Sequence, residues 1–177
     1  KMKQGDFLGS YEEFTNIISE NKKDYFAIFY RALIDFLHLN QFMDQSIADF
    51  EMCISEKSPF EASAKAYLTI FYSNNDEPHK SIIYGTECLK NGTELTLDVN
   101  FALSKSYYQI GDYFSLLKSL EHINKCIEID EDENVDFYVC KVDLLLTLNK
   151  LEDADNTLNT IYTSFGGSFS YYYLKSK

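Results

Sequence analysis

The chain has 177 residues, of which 45% are hydrophobic and 25% charged, so it can bury a core and has a globular composition. Its formal net charge of −12 argues against nucleic-acid binding and against docking on an anionic membrane, because both rely on Lys and Arg. The longest apolar run, residues 144–146, is far too short to span a bilayer. We therefore expect no nucleic-acid partner and no direct membrane insertion.

The four cysteines are far apart in the sequence and form no Cys-x-x-Cys pair. They are Cys53, Cys88, Cys126 and Cys140. In a chain without a recognisable secretory signal, this spacing predicts four reduced and mostly buried thiols rather than two disulfides. We therefore expect a cytoplasmic protein.

In chain order, the first predicted helix covers residues 7–20, and short segments of one form then recur along the chain. Each joins a turn-forming residue, a polar residue and a bulky or rigid one. The segments are Gly5-Asp6-Phe7, Asn40-Gln41-Phe42, Asp76-Glu77-Pro78, Gly111-Asp112-Tyr113 and Asn149-Lys150-Leu151. Their first residues are 35, 36, 35 and 38 positions apart. A helical hairpin repeated about every 34 residues indicates the tetratricopeptide repeat.

The resulting map contains four helical hairpins, at about residues 24–56, 61–90, 97–128 and 135–164. The helix at 7–20 would be the second helix of a partial unit, and residues 168–177 would begin a further helix. The sequence thus predicts an all-α fold in one domain over residues 1–177, a tetratricopeptide-like right-handed superhelix of antiparallel helix hairpins. Since the map begins and ends within a unit, we expect a fragment of a longer array or ends that another element covers.

The turn around Gly111 illustrates how each hairpin is expected to form. Gly111 permits the left-handed backbone of the reversal, Asp112 caps the second helix, and Tyr113 packs back over the hairpin. Large apolar residues four positions before each turn would fill the inside of the hairpin. These residues are Phe36, Tyr72, Tyr107 and Leu145. Small residues on the second helices, Ser81 and Ala154, would let two helices approach closely.

The sequence contains no cluster of catalytic or metal-ligating residues. His38, His79 and His122 are scattered over three hairpins, and we expect them in solvated or capping roles. Residues 130–141 resemble a calcium loop but lack its glycine and its bidentate Glu, so we expect a solvated loop. No phosphate-binding loop or nucleophile motif is present. The sequence therefore predicts no enzyme activity, no cofactor and no bound metal.

The first helix of each hairpin is expected to line a concave surface that holds a partner. Counted from the turns, the residues of this predicted groove are Tyr30, Ile34, Ala66, Ile70, Phe101, Lys105, Val139 and Asp143. Only Lys105 is basic, and Asp143 would repel a carboxylate, so we expect no carboxylate-clamp chaperone binding. The apolar and aromatic character of the other positions predicts a partly hydrophobic protein partner.

Three short motifs follow one another in a recognisable order between residues 5 and 165. They are Phe7-Leu8-Gly9-Ser10-Tyr11, Tyr30-Arg31-Ala32, and Leu145-Leu146-Thr147-Leu148-Asn149-Lys150-Leu151 followed by Glu152-Asp153-Ala154. In this order they resemble the epsilon subunit of coatomer, the coat of COPI vesicles, in which the first motif reads as a turn. The resemblance implies a non-catalytic helical-repeat protein that wraps and stabilises the C-terminal region of the alpha coat subunit. It also implies a cytoplasmic protein that reaches Golgi or vesicle membranes through the coat.

Two other classes of function fit the same sequence. One is a generic tetratricopeptide adaptor, or a subunit of another multiprotein assembly. The other is an accessory domain of a larger enzyme whose catalytic residues lie elsewhere on a longer chain. The residues leave both alternatives open.

Overall fold

The computed structural model describes residues 6–130 and 134–165, and within these ranges the chain consists of helices joined by short turns. Helix accounts for 83% of the described residues, and no strand occurs among them. The helices are α1 (Phe7–Glu20), α2 (Tyr25–Ile34), α3 (Met43–Ser55), α4 (Glu61–Asn74), α5 (Pro78–Asn91), α6 (Thr96–Ile110), α7 (Tyr113–Ile129), α8 (Val135–Thr147) and α9 (Leu151–Phe165). The predicted all-α class is confirmed for this part of the chain. The further helix predicted at 168–177 lies outside the described residues.

Several pairs of helices that follow each other in the sequence pack together. α2 packs against α3, α6 against α7, and α8 against α9, while α1 also contacts α2 and α7 also contacts α8. Helix α2 continues into one π-helical turn, Asp35–Leu39, before the chain reverses. The motif Phe7-Leu8-Gly9-Ser10-Tyr11, which reads as a turn in the coatomer resemblance, is instead the start of α1, because Asp6 caps the Gly9 N–H at 2.9 Å.

The chain divides into two compact units, where the sequence analysis expects one domain. The first unit comprises Lys1–Leu68 and Thr86–Glu94, and the second comprises Thr69–Gly85 and Leu95–Lys177. Helices α4 and α5 each contribute residues to both units. The predicted groove residues are therefore distributed over the two units.

Four of the recurring turn segments begin with a residue in the left-handed backbone conformation. The φ angles are 58° at Asn40, 56° at Asp76, 77° at Gly111 and 56° at Asn149. Positive φ is uncommon for a residue other than glycine, and Asn and Asp are the types that tolerate it best. The prediction that these positions reverse the chain is therefore confirmed. The earlier segment begins at Gly5, outside the described residues.

Backbone hydrogen bonds close these turns onto the end of the preceding helix. The Lys150 N–H donates to the Leu145 carbonyl at 2.8 Å, and the Asn149 N–H donates to the Leu146 carbonyl at 3.0 Å. This pair of bonds is the Schellman arrangement, which satisfies carbonyls that the helix itself leaves unpaired. The Glu77 N–H likewise donates to Tyr72 at 3.0 Å.

Asp112 caps α7 as predicted. Its Oδ1 accepts the N–H groups of Phe114 and Ser115, each at 3.0 Å, and its Oδ2 accepts the Ser115 hydroxyl. These hydrogen bonds favour the ionised carboxylate and lower the pKa of Asp112, the Ser115 hydroxyl contributing most. Tyr113 departs from its prediction. Its side chain is 67% exposed at the start of α7 rather than packed back over the hairpin.

The core of the first unit contains a buried ion pair between α2 and α3. Nε and Nη2 of Arg31 donate to the two carboxylate oxygens of Asp49, both at 2.8 Å. Gln45 donates to the same carboxylate at 2.9 Å, and Tyr11 places its ring 5.9 Å from the Arg31 guanidinium carbon. In such a bidentate pair each charge neutralises the other. Removing one of the two side chains therefore leaves the other as an unpaired charge in the core.

A second buried carboxylate in the first unit organises the turn after α2. Asp35 accepts the N–H groups of Gln41 and Phe42 at 2.9 and 3.0 Å and the Ser46 hydroxyl at 2.8 Å. It therefore pairs backbone N–H groups of the turn that leads into α3, which would otherwise have no acceptor. Phe36, which was predicted to lie inside this hairpin, is half-buried against the Tyr67 ring at 5.5 Å between centroids.

The second unit packs its helices through small residues. The Ser81 hydroxyl donates to the Thr69 carbonyl at 3.0 Å and receives the Ser106 hydroxyl at 2.8 Å. Gly85 lies so close to Leu103 and Thr69 that a Cβ placed there would approach both side chains to 2.8 Å. The predicted small residues Ser81 and Ala154 are both buried, as is the predicted interior residue Leu145.

All four cysteines are free thiols, as expected. Cys53, Cys88 and Cys126 are buried, and Cys140 is partly buried. Burial disfavours the thiolate and raises the pKa of Cys53 to about 11 and that of Cys126 to about 12. These thiols are therefore protonated and behave as small apolar side chains at neutral pH.

The left-handed turn predicts that replacing asparagine by alanine changes the free energy of unfolding in opposite directions at two exposed positions. Asn149→Ala removes the short polar side chain that makes the left-handed backbone tolerable, and it should lower the free energy of unfolding by about 1 kcal/mol. Asn159→Ala, inside α9, should instead raise it by about 0.5 kcal/mol, because alanine is the better helix former. Urea unfolding of both variants measures the two changes, and equal signs would contradict the turn assignment.

The buried ion pair predicts a large effect from breaking it on one side. Arg31→Met should destabilise the protein by about 3–5 kcal/mol, because Asp49 then keeps an unpaired buried charge. The control is Lys118→Met, which breaks an exposed pair with Glu121 and should cost less than about 1 kcal/mol. Similar losses in urea unfolding for the two variants would show that the Arg31 pair is not buried as described.

Candidate functional site

A cavity of about 220 Å³ lies between α6, α7 and α8 in the second unit. Its walls include three residues of the predicted groove: Phe101 and Lys105 from α6, and Asp143 from α8. The other lining residues are Ser104, Tyr108, Ser119, Cys140 and Leu144. Corresponding positions on the first helices of successive hairpins therefore meet at one recess.

Phe101 forms an exposed aromatic edge of the recess. Its side chain is 39% exposed, and its ring packs against that of Phe137 with 5.3 Å between centroids. An aromatic side chain that is fixed by a neighbour and still accessible can bury further surface against a partner at a small entropic cost.

A hydrogen bond from Tyr108 to Asp143 joins α6 to α8 at the rim of the recess. The phenol donates to Oδ2 of Asp143 at 2.9 Å, across 35 residues of sequence. Because the phenol donates to a carboxylate, the pKa of Tyr108 is raised, with desolvation adding to the effect. Among the described residues, the carboxylate oxygen Oδ1 of Asp143 has no side-chain partner.

Tyr108 is a residue of this site that the sequence analysis missed. Counting from the turn selected Phe101 and Lys105 but stopped before the last turn of α6. Residues spaced i, i+4 and i+7 share one face of a helix, so continuing the count from Phe101 reaches Tyr108. The sequence therefore carried a signal for Tyr108, although not for its bond to Asp143.

The floor of the recess offers no unsatisfied polar group. The hydroxyls of Ser104 and Ser119 each donate to the other residue's carbonyl, at 3.0 and 2.7 Å. Burial raises the pKa of the Cys140 thiol, which is therefore protonated at neutral pH. Lys105 at the rim donates to Oδ1 of Asn74 at 3.0 Å. The recess is accordingly apolar inside, with its charged groups at the edge.

The other predicted groove residues do not share this recess. In the second unit, Ile70 is half-buried, and Val139 packs against the core formed by α8 and α9. In the first unit, Ile34 is 6% exposed and Ala66 fully buried, so these two side chains offer no surface to a partner. Tyr30 is half-buried.

Tyr30 belongs to an aromatic patch on the first unit. Its ring lies 4.4 Å from that of Phe26, 6.3 Å from Phe14 and 6.0 Å from Phe60, between centroids. Phe26 is 55% exposed, so the patch reaches the surface. The rings pack against one another, and the exposed part of the patch is aromatic.

The three histidines have different surroundings. His38 is exposed and stacks on Phe7 with ring centroids 3.8 Å apart. His79 lies in the first turn of α5 and not in the turn before it. His122 is buried, although a solvated or capping role was expected. The expectation failed because its partner, Asn100, is 22 residues away in sequence.

His122 is held in its neutral form by the core of the second unit. Its Nδ1 lies 2.9 Å from Oδ1 of Asn100, whose Nδ2 donates to the Thr96 carbonyl at 2.7 Å. Because the amide nitrogen is engaged, Oδ1 is the acceptor and Nδ1 carries the hydrogen. Burial is the main cause that lowers the pKa of His122, to about 4.

The described residues contain no group of three or more His, Cys, Asp or Glu side chains that could hold a metal ion. Within the segment that resembles a calcium loop, α8 begins at Val135, and Asn134 caps it by accepting the Asp136 N–H at 3.0 Å. Residues 131–133 of that segment lie outside the described residues. No helix in the described ranges is long and apolar enough to cross a membrane.

Comparison of the chain with protein-family models, with curated proteins and with solved structures finds no match.

The buried histidine predicts acid-sensitive stability. The pKa of His122 is about 4 in the folded chain and near its ordinary 6.5 when unfolded. The unfolded state therefore binds the proton first, so the stability that neutral His122 contributes is complete above about pH 6.5 and is lost as the pH falls towards about 4. Urea unfolding at several pH values measures this loss. Between about pH 6.5 and 4, the free energy of unfolding of His122→Gln should fall by about 3 kcal/mol less than that of the unsubstituted chain. Parallel pH profiles for the two proteins would contradict the assignment.

Proposed function

We propose that the chain is a non-catalytic protein-interaction scaffold whose partner binds the face of the second unit that α6 and α8 form. The observation that carries this proposal is the recess of about 220 Å³ that Phe101, Lys105 and Asp143 line together. Helical-repeat proteins hold a peptide or a partner helix on such a surface, with side chains from successive first helices contributing to it.

Charge and exposure favour a protein partner over other ligand classes. The net charge of −12 opposes binding to nucleic acid or to an anionic membrane. At the recess, two aromatic side chains, Phe101 and Tyr108, are exposed around an apolar interior. Aromatic side chains are enriched at the centres of protein interfaces and carry much of their binding energy.

A tetratricopeptide-like superhelix is the architecture that we propose for this scaffold. It is supported by left-handed turn residues that recur at steps of 36, 35 and 38 residues, from Asn40 to Asn149. It is also supported by the packing of helices on either side of three of these turns, α2 with α3, α6 with α7, and α8 with α9. In that architecture the first helices of all hairpins would share one face.

A more specific proposal is an epsilon-type coatomer subunit that binds the alpha coat subunit in the cytoplasm, at Golgi or vesicle membranes. It rests on the resemblance of three short motifs. Two of their residues have structural roles here, since Arg31 pairs with buried Asp49 and Leu145 lies in the core. The direct test is binding of the purified C-terminal region of an alpha coat subunit to the purified chain. Stoichiometric, salt-resistant binding would support the proposal, and no binding at micromolar concentration would reject it.

The scaffold proposal predicts that Phe101→Asp abolishes partner binding. A buried carboxylate at the centre of an apolar interface should weaken binding at least about ten-fold, as for other interface hot spots. The measurement is capture of partners by the tagged chain, quantified by mass spectrometry, with far-UV circular dichroism to check the helices. The matched control is Phe114→Asp, because Phe114 is 68% exposed at the start of α7, away from the recess.

The two substitutions separate a binding role from a structural one. A partner that is lost with Phe101→Asp and retained with Phe114→Asp supports the proposed face. Equal capture by both variants would reject it. If Phe101→Asp lowers helicity, Phe101→Ala replaces it, since that variant removes the ring without placing a charge against Phe137.

A further inference from the structure

The recess beside Phe101 has the size and polarity to take one apolar side chain. A cavity of about 150 Å³ lined by apolar groups is enough to hold a benzene molecule. The recess here measures about 220 Å³, and its two floor hydroxyls, Ser104 and Ser119, are already bonded to each other's backbone. An apolar group that enters it therefore breaks no hydrogen bond and leaves no polar group unsatisfied.

The two charged groups at the rim of the recess are not equivalent. The Lys105 ammonium is engaged by Asn74, so the cation at the rim is already partnered. From the residues of 6–130 and 134–165, the Asp143 carboxylate receives one side-chain hydrogen bond, from Tyr108 to Oδ2. Its Oδ1 has no side-chain partner in the part of the chain that the structure describes. The rim therefore offers one acceptor for a cation next to the apolar opening.

We propose that this recess is an anchor site for a partner segment that inserts one aromatic or aliphatic side chain and pairs an adjacent Lys or Arg with Asp143. The assignment rests on the proposed scaffold function and adds the chemistry of the partner. The net charge of −12 favours a basic segment over a neutral or acidic one, because a chain of this charge attracts cations.

Tyr108 modulates this site through its bond to Asp143. While the phenol donates to Oδ2, it stabilises the carboxylate and competes with an incoming cation for the same group. Removing the phenol oxygen leaves both oxygens of Asp143 open to a guanidinium or ammonium. Tyr108→Phe should therefore strengthen cation pairing while keeping the aromatic wall of the recess.

The experiment uses three end-capped dipeptides as probes: phenylalanyl-lysine, phenylalanyl-glutamine and phenylalanyl-glutamate. They present the same aromatic anchor with a positive, neutral or negative neighbour. Titration of the ¹⁵N-labelled chain at millimolar peptide should shift amides of α6, α7 and α8, which line the recess. The lysine peptide should bind about five-fold more tightly than the glutamine peptide, the scale of a rim ion pair, and the glutamate peptide most weakly.

Three variants test the role of the carboxylate. Asp143→Asn keeps an acceptor for Tyr108 but removes the charge, and it should abolish the preference for lysine. Asp136→Asn, on the exposed first turn of the same helix, should leave the preference unchanged. Tyr108→Phe should raise the affinity for the lysine peptide about two-fold. If Asp143→Asn fails to fold, this affinity change tests whether the Asp143 carboxylate pairs with the cation.

Two results would overturn the assignment. Equal affinity of the three peptides would reject the pairing of a cation with Asp143. Shifts that lie outside α6, α7 and α8, or no binding at all, would reject the anchor site. Either result is compatible with a partner whose capture still depends on Phe101, and the scaffold proposal would then survive alone. Loss of the Phe101 dependence would reject the scaffold whatever the peptides show.

Discussion

A single left-handed residue at the end of each first helix is the constraint on which the rest of the structure depends. Asn40, Asp76, Gly111 and Asn149 each reverse the chain at this point. Within the second unit, the turns at Gly111 and Asn149 let α6 and α8 lie together, and Tyr108 reaches Asp143 across 35 residues of sequence. The candidate site therefore depends on two successive hairpins of the second unit rather than on any one helix.

The two units stabilise their interiors with different polar chemistry. The first unit buries charged groups, with Arg31 paired to Asp49 and with Asp35 bonded to the turn that follows it. The second unit uses hydroxyls and a neutral imidazole, since Ser104 bonds Ser119 and His122 bonds Asn100. In both units these named groups are hydrogen-bonded, which lets helices approach without a purely apolar interface. The recess beside Phe101 lies in the second unit, whose described residues include no buried ion pair. A partner that enters it meets a floor without charge, where the hydroxyls of Ser104 and Ser119 are already hydrogen-bonded.

The turns could be predicted from local sequence because Gly, Asn and Asp are the residue types that best tolerate the left-handed backbone conformation. The groove was predicted only in part, because counting from a turn assumes a regular helix. The π-helical turn Asp35–Leu39 changes the phase of α2 just before the chain reverses, and Ile34, counted on the open face, is buried. The sequence also gives no sign that Asn100 and His122, 22 residues apart, form a hydrogen bond. His122 was therefore expected in a solvated or capping role. Contacts between residues far apart in sequence depend on packing, which periodicity alone does not determine.

The measurement that most directly tests the interaction face is site-specific photo-cross-linking with benzoylphenylalanine in place of Phe101 and, separately, of Phe114. Both positions are exposed aromatic residues of the second unit, so the probe replaces a ring of similar character at each. We expect a discrete cross-linked protein from position 101 and none from position 114. No adduct from position 101, or the same adducts from both, would contradict the claim that α6 and α8 form the binding face.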